Sequence, residues 1–220
     1  MLSSIQTDEA RHAQIGPADV TPVFLPLFHT NAIGYSTLAT LWSGGAIVLQ
    51  PRFSASRFWS IATRHRCTWA NMIGFTIQAL VGRQAPPKHP FRFWACASDV
   101  KAIRTLWDIK TIGWWGMTET VSHGIVADFG WLNPEMSMGR AAPEYEIRVL
   151  RADGTHVGRG ETGALQIRGT RGLSLFLEYL DDPQATQAPL DPDGWMHTGD
   201  MVTLTATGDL VFYERQKDAL

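Results

Sequence analysis

Short apolar runs alternate with helix-like stretches along the first part of the chain. Residues 20–25 (VTPVFL) and 46–50 (AIVLQ) read as buried strands, and residues 31–42 as a helix ending at Gly44-Gly45. Residues 54–64 place Phe58, Ile61 and Ala62 on one helical face behind a candidate N-cap, Ser54. Residues 68–72, 77–81, 91–97, 100–107 and 111–114 continue the strand–helix alternation. Buried strands separated by helices predict an α/β fold, a mainly parallel sheet flanked by helices. After about Gly139 the period changes. Residues 145–150, 164–168, 174–179, 201–204 and 210–214 read as short strands, separated by turn signals such as Asp153-Gly154, Asp193-Gly194 and Gly208-Asp209. This predicts a small antiparallel β-rich subdomain, a distorted barrel. The expected division is residues 1–138 and 139–220.

Composition agrees with a globular chain. Of the 220 residues, 45% are hydrophobic and 18% charged, enough to bury a core rather than remain disordered. A net charge of −2 without a Lys/Arg-rich run gives no reason to expect a nucleic-acid partner. No apolar run is long enough for a transmembrane segment, and the N-terminal residues lack a signal-peptide core. Cys67 and Cys96 sit in apolar runs at no metal-ligand spacing, so they read as reduced core residues of a cytoplasmic protein. The nine tryptophans imply large flat surfaces, in a core or in a pocket.

Three segments carry candidate chemistry. In WWGMTET (residues 114–120) a flat ring, a hydroxyl and a carboxylate follow a strand, where parallel sheets bind ligands. The ring suits a base, the hydroxyl a phosphate oxygen and the carboxylate a magnesium ion, although a hairpin turn with a solvated Glu119 fits the residues as well. In GWMHTGD (residues 194–200) Asp200 can accept hydrogen bonds from two sugar hydroxyls, or be an ordinary strand-start residue. ERQKD (residues 214–218) offers Arg215 to a ribose or phosphate oxygen, or forms a polar tail.

Taken in order, WGMTE, GWMHTGD and ERQKD resemble the YGxTE, GWxxTGD and GRxKD motifs of the adenylate-forming superfamily of acyl-CoA synthetases, luciferases and peptide-synthetase adenylation domains. LPLFH (25–29), MGRAAP (138–143), GETG (160–163) and IRG (167–169) resemble further segments of that family, so the likeness runs from about Gly16 onward. WWGMTETVSHG and PEYEIRVL are similar to carnitine- or crotonobetaine-CoA-ligase-like members. The resemblance implies the fold of the large N-terminal domain of these enzymes. It also implies the substrates ATP, a small-molecule carboxylate and coenzyme A, with Mg2+ as cofactor and AMP as product. By the same resemblance Trp115 would stack on adenine beside Gly116, Thr118 would contact the α-phosphate and Glu119 would ligate magnesium. Asp200 and Arg215 would bind ribose, Lys217 would be the hinge, and His29 would sit beside the acyl pocket. His123 is a further candidate for that pocket, whereas His12, His65, His89 and His156 lie in polar surroundings at no metal-ligand spacing and read as surface residues. Residues 97–99 (ASD) and 172–179 (GLSLFLEY) depart from the family's pattern.

Relatives carry a Gly/Ser/Thr-rich phosphate loop upstream of the LPLFH segment and a C-terminal domain with the adenylating lysine. Neither is recognisable between Met1 and Leu220, so the expectation is part of an acyl- or aryl-CoA ligase. A truncated, non-catalytic nucleotide- or carboxylate-binding relative and a gene remnant stay open, and oligomeric state is not legible. The purified chain alone is expected to adenylate poorly. ATP–pyrophosphate exchange at background measures this, and exchange clearly above it overturns the expectation.

Overall fold

The computed structural model describes residues 12–130 and 133–215. Its larger sheet has nine strands in the order β3-β4-β5-β6-β7-β11-β10-β9-β8. Strands β3 (Trp69–Asn71), β4 (Phe93–Cys96) and β5 (Lys110–Trp115) are parallel. Antiparallel pairing takes over from β5 to β6 (Ile125–Val126) and β7 (Ser137–Ala141). It continues through β8 (Glu146–Leu150), β9 (Thr162–Arg168), β10 (Met196–Leu204) and β11 (Leu210–Arg215). A separate parallel pair, β1 (Val20–Val23) and β2 (Ala46–Leu49), lies beside β3, where the Thr68 N–H donates to the Val20 carbonyl at 2.8 Å. The chain is therefore mixed α/β, its parallel and antiparallel regions continuous in one sheet. Gly139 lies inside β7, one of the strands that carry that continuity.

The parallel strands are buried on both faces, and period two sorts their side chains. Trp69, Phe93, Ala95, Ile112 and Trp114 enter one core cluster. Ala70, Trp94 and Cys96 enter the other, where they meet Phe58, Trp59 and Ala62 of α2 (Phe58–Arg64), Leu80 of α3 (Gly74–Leu80), and Ile103 and Trp107 of α4 (Lys101–Trp107). Trp69 and Phe93 are cross-strand partners and stack with centroids 5.5 Å apart. Much of the tryptophan excess is thus core, as is the aromatic set around Phe58. Both cysteines are buried free thiols, and burial pushes Cys67 up to about 11. No helix among the described residues is long and apolar enough to cross a membrane.

Some expectations need correction. Residues 174–179 form no strand. The N–H groups of Leu173, Ser174 and Leu175 all return to the Thr170 carbonyl, and that of Phe176 goes to the Glu119 carbonyl, so the ladder donors are spent locally. Ser54 does not cap α2, whose N-cap position is Arg57. The Ser54 hydroxyl instead accepts from Arg57 Nε at 3.3 Å. The helix at 31–42 is a π-helix over Asn31–Leu38 that continues as α1 (Ala39–Trp42). Its hydroxyls match that winding: Ser36 Oγ donates to the Asn31 carbonyl and Thr37 Oγ1 to that of Ala32, each five residues back. His89, expected at the surface, packs against Trp59 and Phe91 and bonds the Trp107 carbonyl through Nε2 at 2.7 Å.

A buried carboxylate ties the parallel strands to the segment before them. Asp19, 6% exposed, accepts from Arg92 Nη2 at 2.9 and 2.8 Å, from Thr68 Oγ1 at 2.6 Å and from the Gly16 N–H at 2.9 Å. Arg92→Met leaves that carboxylate without its cation. The substitution should cost about 2–3 kcal/mol of stability, read as a lower urea midpoint at unchanged slope.

Candidate functional site

The site is built where β5 ends. Beyond Trp115 the chain makes a sharp turn at Gly116-Met117 and a single 3-10 turn, Thr118–Thr120. The Thr120 side chain organises that turn: Oγ1 accepts from the Met117 N–H at 3.0 Å and donates to the Ser122 carbonyl at 2.7 Å. Tyr145 Oη holds it from outside, donating to the Thr120 carbonyl and to that of Ser174 at 2.9 Å. Val121 follows at φ +57°, a conformation costing a β-branched residue about 1–3 kcal/mol that the surrounding bonds sustain. Gly116 is required by close approach, because a Cβ there would stand 2.3 Å from Tyr35 Oη and 2.9 Å from the Ser122 carbonyl.

This turn exposes Thr118 and half-buries Glu119. Thr118, Gly116 and Met117 line one cleft of about 500 Å3 together with His29, Asn31 and Tyr35. His29 is exposed and sits at the start of the π-helix, where its carbonyl accepts from the Ala32 and Ile33 N–H groups. The structure therefore brings His29 and Thr118, distant in sequence, to one opening at the C-terminal end of β5. Glu119 Oε1 accepts from Tyr179 Oη, and that hydrogen bond pushes the Tyr179 phenol up to about 12.

Asp200, in β10, is 2% exposed. Its Oδ2 accepts from Trp115 Nε1 at 2.8 Å and its Oδ1 from Arg215 Nε at 3.0 Å. These three predicted residues form one group, to which β5, β10 and β11 each contribute. Lys217 lies outside the described residues. His123 does not line the cleft. It is buried between Tyr35, at 3.7 Å, and Trp114, at 4.0 Å between centroids. Burial holds its pKa well below the usual histidine value, with the charge of His12 acting the same way, so it is a neutral packing residue. Asp99, in the poorly matching 97–99 segment, is buried and accepts from Thr111 Oγ1, with Arg104 at 3.9 Å.

Sequence reasoning missed Tyr179 and Tyr35, which brace the turn from two sides. Tyr179 falls in the segment that departs from the family pattern, and its spacing from Glu119 carries no periodic signal. The indole N–H of Trp115 was missed as a donor because reading the ring as a stacking surface leaves its edge unused.

The family model described as AMP-binding enzyme matches residues 1–180. The chain is 32% identical over 227 residues to a sulfoacetate–CoA ligase of Cupriavidus necator, covering 97% of this chain and 43% of that protein. It is 30% identical over 207 residues to a crotonobetaine/carnitine–CoA ligase of Salmonella paratyphi C, covering 90% and 40%. The chain thus spans less than half the length of the curated relatives it matches. Its fold is shared with the anthranilate CoA ligase AuaEII solved with anthranoyl-AMP, at TM-score 0.87 and 21% identity over 100% of this chain and 44% of that one. It is shared also with the O-succinylbenzoate coenzyme A synthetase MenE of Bacillus subtilis solved with ATP and magnesium, at TM-score 0.83 and 23% identity over 100% and 46%.

Gly116→Ala tests the close approach directly. The added methyl must displace Tyr35 Oη and the Ser122 carbonyl together, at about 1–3 kcal/mol, and a denaturant midpoint equal to the parent's would contradict it.

Proposed function

The chain belongs to the AMP-binding enzyme family, and on that premise we propose that it is part of an ATP-dependent acyl- or aryl-CoA ligase. In such an enzyme a carboxylate oxygen attacks the α-phosphorus of ATP, giving an acyl-adenylate as pyrophosphate leaves. The thiol of coenzyme A then attacks the acyl carbon, and AMP leaves. Two anions must meet in the first step, so hydrogen-bond donors and cations around the phosphates are the main requirement.

The observation that carries the reading is the shared cleft of His29 and Thr118 at the end of β5, where open parallel sheets bind ligands. In this reading the Thr118 hydroxyl donates to an α-phosphate oxygen across the cleft. His29, exposed on the facing wall, lies beside the reacting carboxylate. The Trp115 ring stacks on adenine, while Asp200 and Arg215 take the ribose. Lys217 serves as the hinge of the whole protein.

Glu119 fits a magnesium ion of the kind such sites use. Tyr179 occupies one of its oxygens, and a carboxylate has about four lone-pair sites, so hard-donor capacity remains. Among the described residues no group of three or more His, Cys, Asp or Glu forms a metal cage. Such an ion would be held by that one carboxylate, with phosphate and water oxygens completing its shell. When bound, it would neutralise phosphate charge.

Calorimetry with AMP and with acyl-sulfamoyl-adenosines tests the reading. Binding should weaken at least about tenfold to a hundredfold in Asp200→Ala, which removes both ribose hydrogen bonds to a charged group. Silence across the whole panel with the parent chain would sink it.

A further inference from the structure

We propose that Trp115 is a positioning residue that sets ribose recognition: its indole N–H, opposite Arg215, fixes the Asp200 carboxylate for a vicinal diol. The inference rests on the nucleotide-binding reading above and adds to the ring's stacking a second, separable role for its edge.

Burying a carboxylate to 2% exposure is costly unless its oxygens find donors. Asp200 has two, one on each oxygen: Trp115 Nε1 at 2.8 Å and Arg215 Nε at 3.0 Å. The two donors differ in rigidity. Arg215 is 58% exposed in its side chain and lies at the end of β11, so solvent competes for it and its geometry is loose. Trp115 is half-buried and held at its opposite edge. A Cβ at Gly124 would stand 3.0 Å from Trp115 Cζ3 and 3.4 Å from Cε3, so the benzo edge of the indole sits against that glycine while its nitrogen reaches Asp200. The backbone of Asp200 is fixed as well. Its N–H donates to Thr198 Oγ1 at 3.1 Å, which in turn donates to the Leu165 carbonyl at 2.9 Å.

Lone pairs then select the ligand. Of about four acceptor sites on the carboxylate, the two protein donors occupy two, one per oxygen. One acceptor remains on each oxygen. Because the carboxylate is only 2% exposed, a sugar reaches them as the exposed Arg215 side chain gives way, and the pair then matches two adjacent hydroxyls. A ribonucleotide satisfies both remaining sites, whereas a 2′-deoxynucleotide leaves one buried acceptor unmatched. Phenylalanine at this position keeps a flat ring but has no donor. Tyrosine carries its hydroxyl at the ring's far end, where an indole has none.

The test compares the parent chain with Trp115→Phe by calorimetry, using AMP and 2′-deoxy-AMP. The parent should prefer AMP by about tenfold, and Trp115→Phe should bind AMP about tenfold more weakly, with its preference falling toward one. An unchanged preference in a cooperatively melting Trp115→Phe overturns the proposal and leaves nucleotide binding intact. Failure of the parent to bind AMP overturns both. Hydrogen exchange at the Trp115 indole N–H, followed by NMR, decides independently if the variant does not fold. Slow exchange in the parent that accelerates in Asp200→Ala supports the clamp, and fast exchange in the parent refutes it.

Discussion

Everything else in the chain depends on β5 pairing in two senses at once. Its register with β4 is parallel, Phe93 opposite Lys110 through Cys96 opposite Gly113. Its other edge is antiparallel to the two-residue β6, Trp114 opposite Val126 and Trp115 opposite Ile125. A strand so placed must be narrow at the crossing. Gly113 supplies that, because a Cβ there would lie 1.9 Å from the Ser137 carbonyl oxygen of β7. Remove this junction and the parallel and antiparallel regions lose their common sheet, and Trp115 loses its route to Asp200.

Charge burial follows the same seams. Asp19, Asp99, Asp200 and Asp209 are each 6% exposed or less, and each faces an arginine: Arg92, Arg104, Arg215 and Arg140. In every case but Asp99–Arg104 the partners come from different strands or from segments far apart in the chain. Such pairs add little net stability over apolar packing, but mispairing any of them strands a charge, so they favour one arrangement over its alternatives. Trp195 shows a softer version, lying between Arg148 and Arg168 with guanidinium carbons 4.3 and 4.7 Å from its ring.

Legibility in the sequence tracked the range of the interaction. The parallel strands and the hairpin around Gly208-Asp209 were readable because their apolar period and turn residues are local. The turn after β5 was readable because Gly116 and the polar Thr118 and Glu119 follow directly on the strand. Residues 174–179 misled because SLFLEY alternates as a strand does, while its backbone donors are captured by Thr170 and Glu119. β6 and β7 were invisible: one is two residues long, and the other carries a glycine and an exposed arginine in mid-strand. His89 read as surface because its sequence neighbours are Lys88 and Pro90, yet its ring packs with Trp59. The pairings Trp115–Asp200 and Tyr179–Glu119 join residues too distant for any periodic signal to register.

The winding of the segment 31–38 makes chain length there a structural variable in its own right. A π-turn holds one residue more than an α-turn closes with, and Asn31 and Tyr35 of that segment face the cleft. Deleting a single residue would let the segment relax to α geometry with its two ends kept nearly in phase, because the wider turn holds the extra residue without advancing the helix. Two relatives differing here by one position of length would therefore keep His29 beside Thr118 and differ in the wall that Asn31 and Tyr35 present.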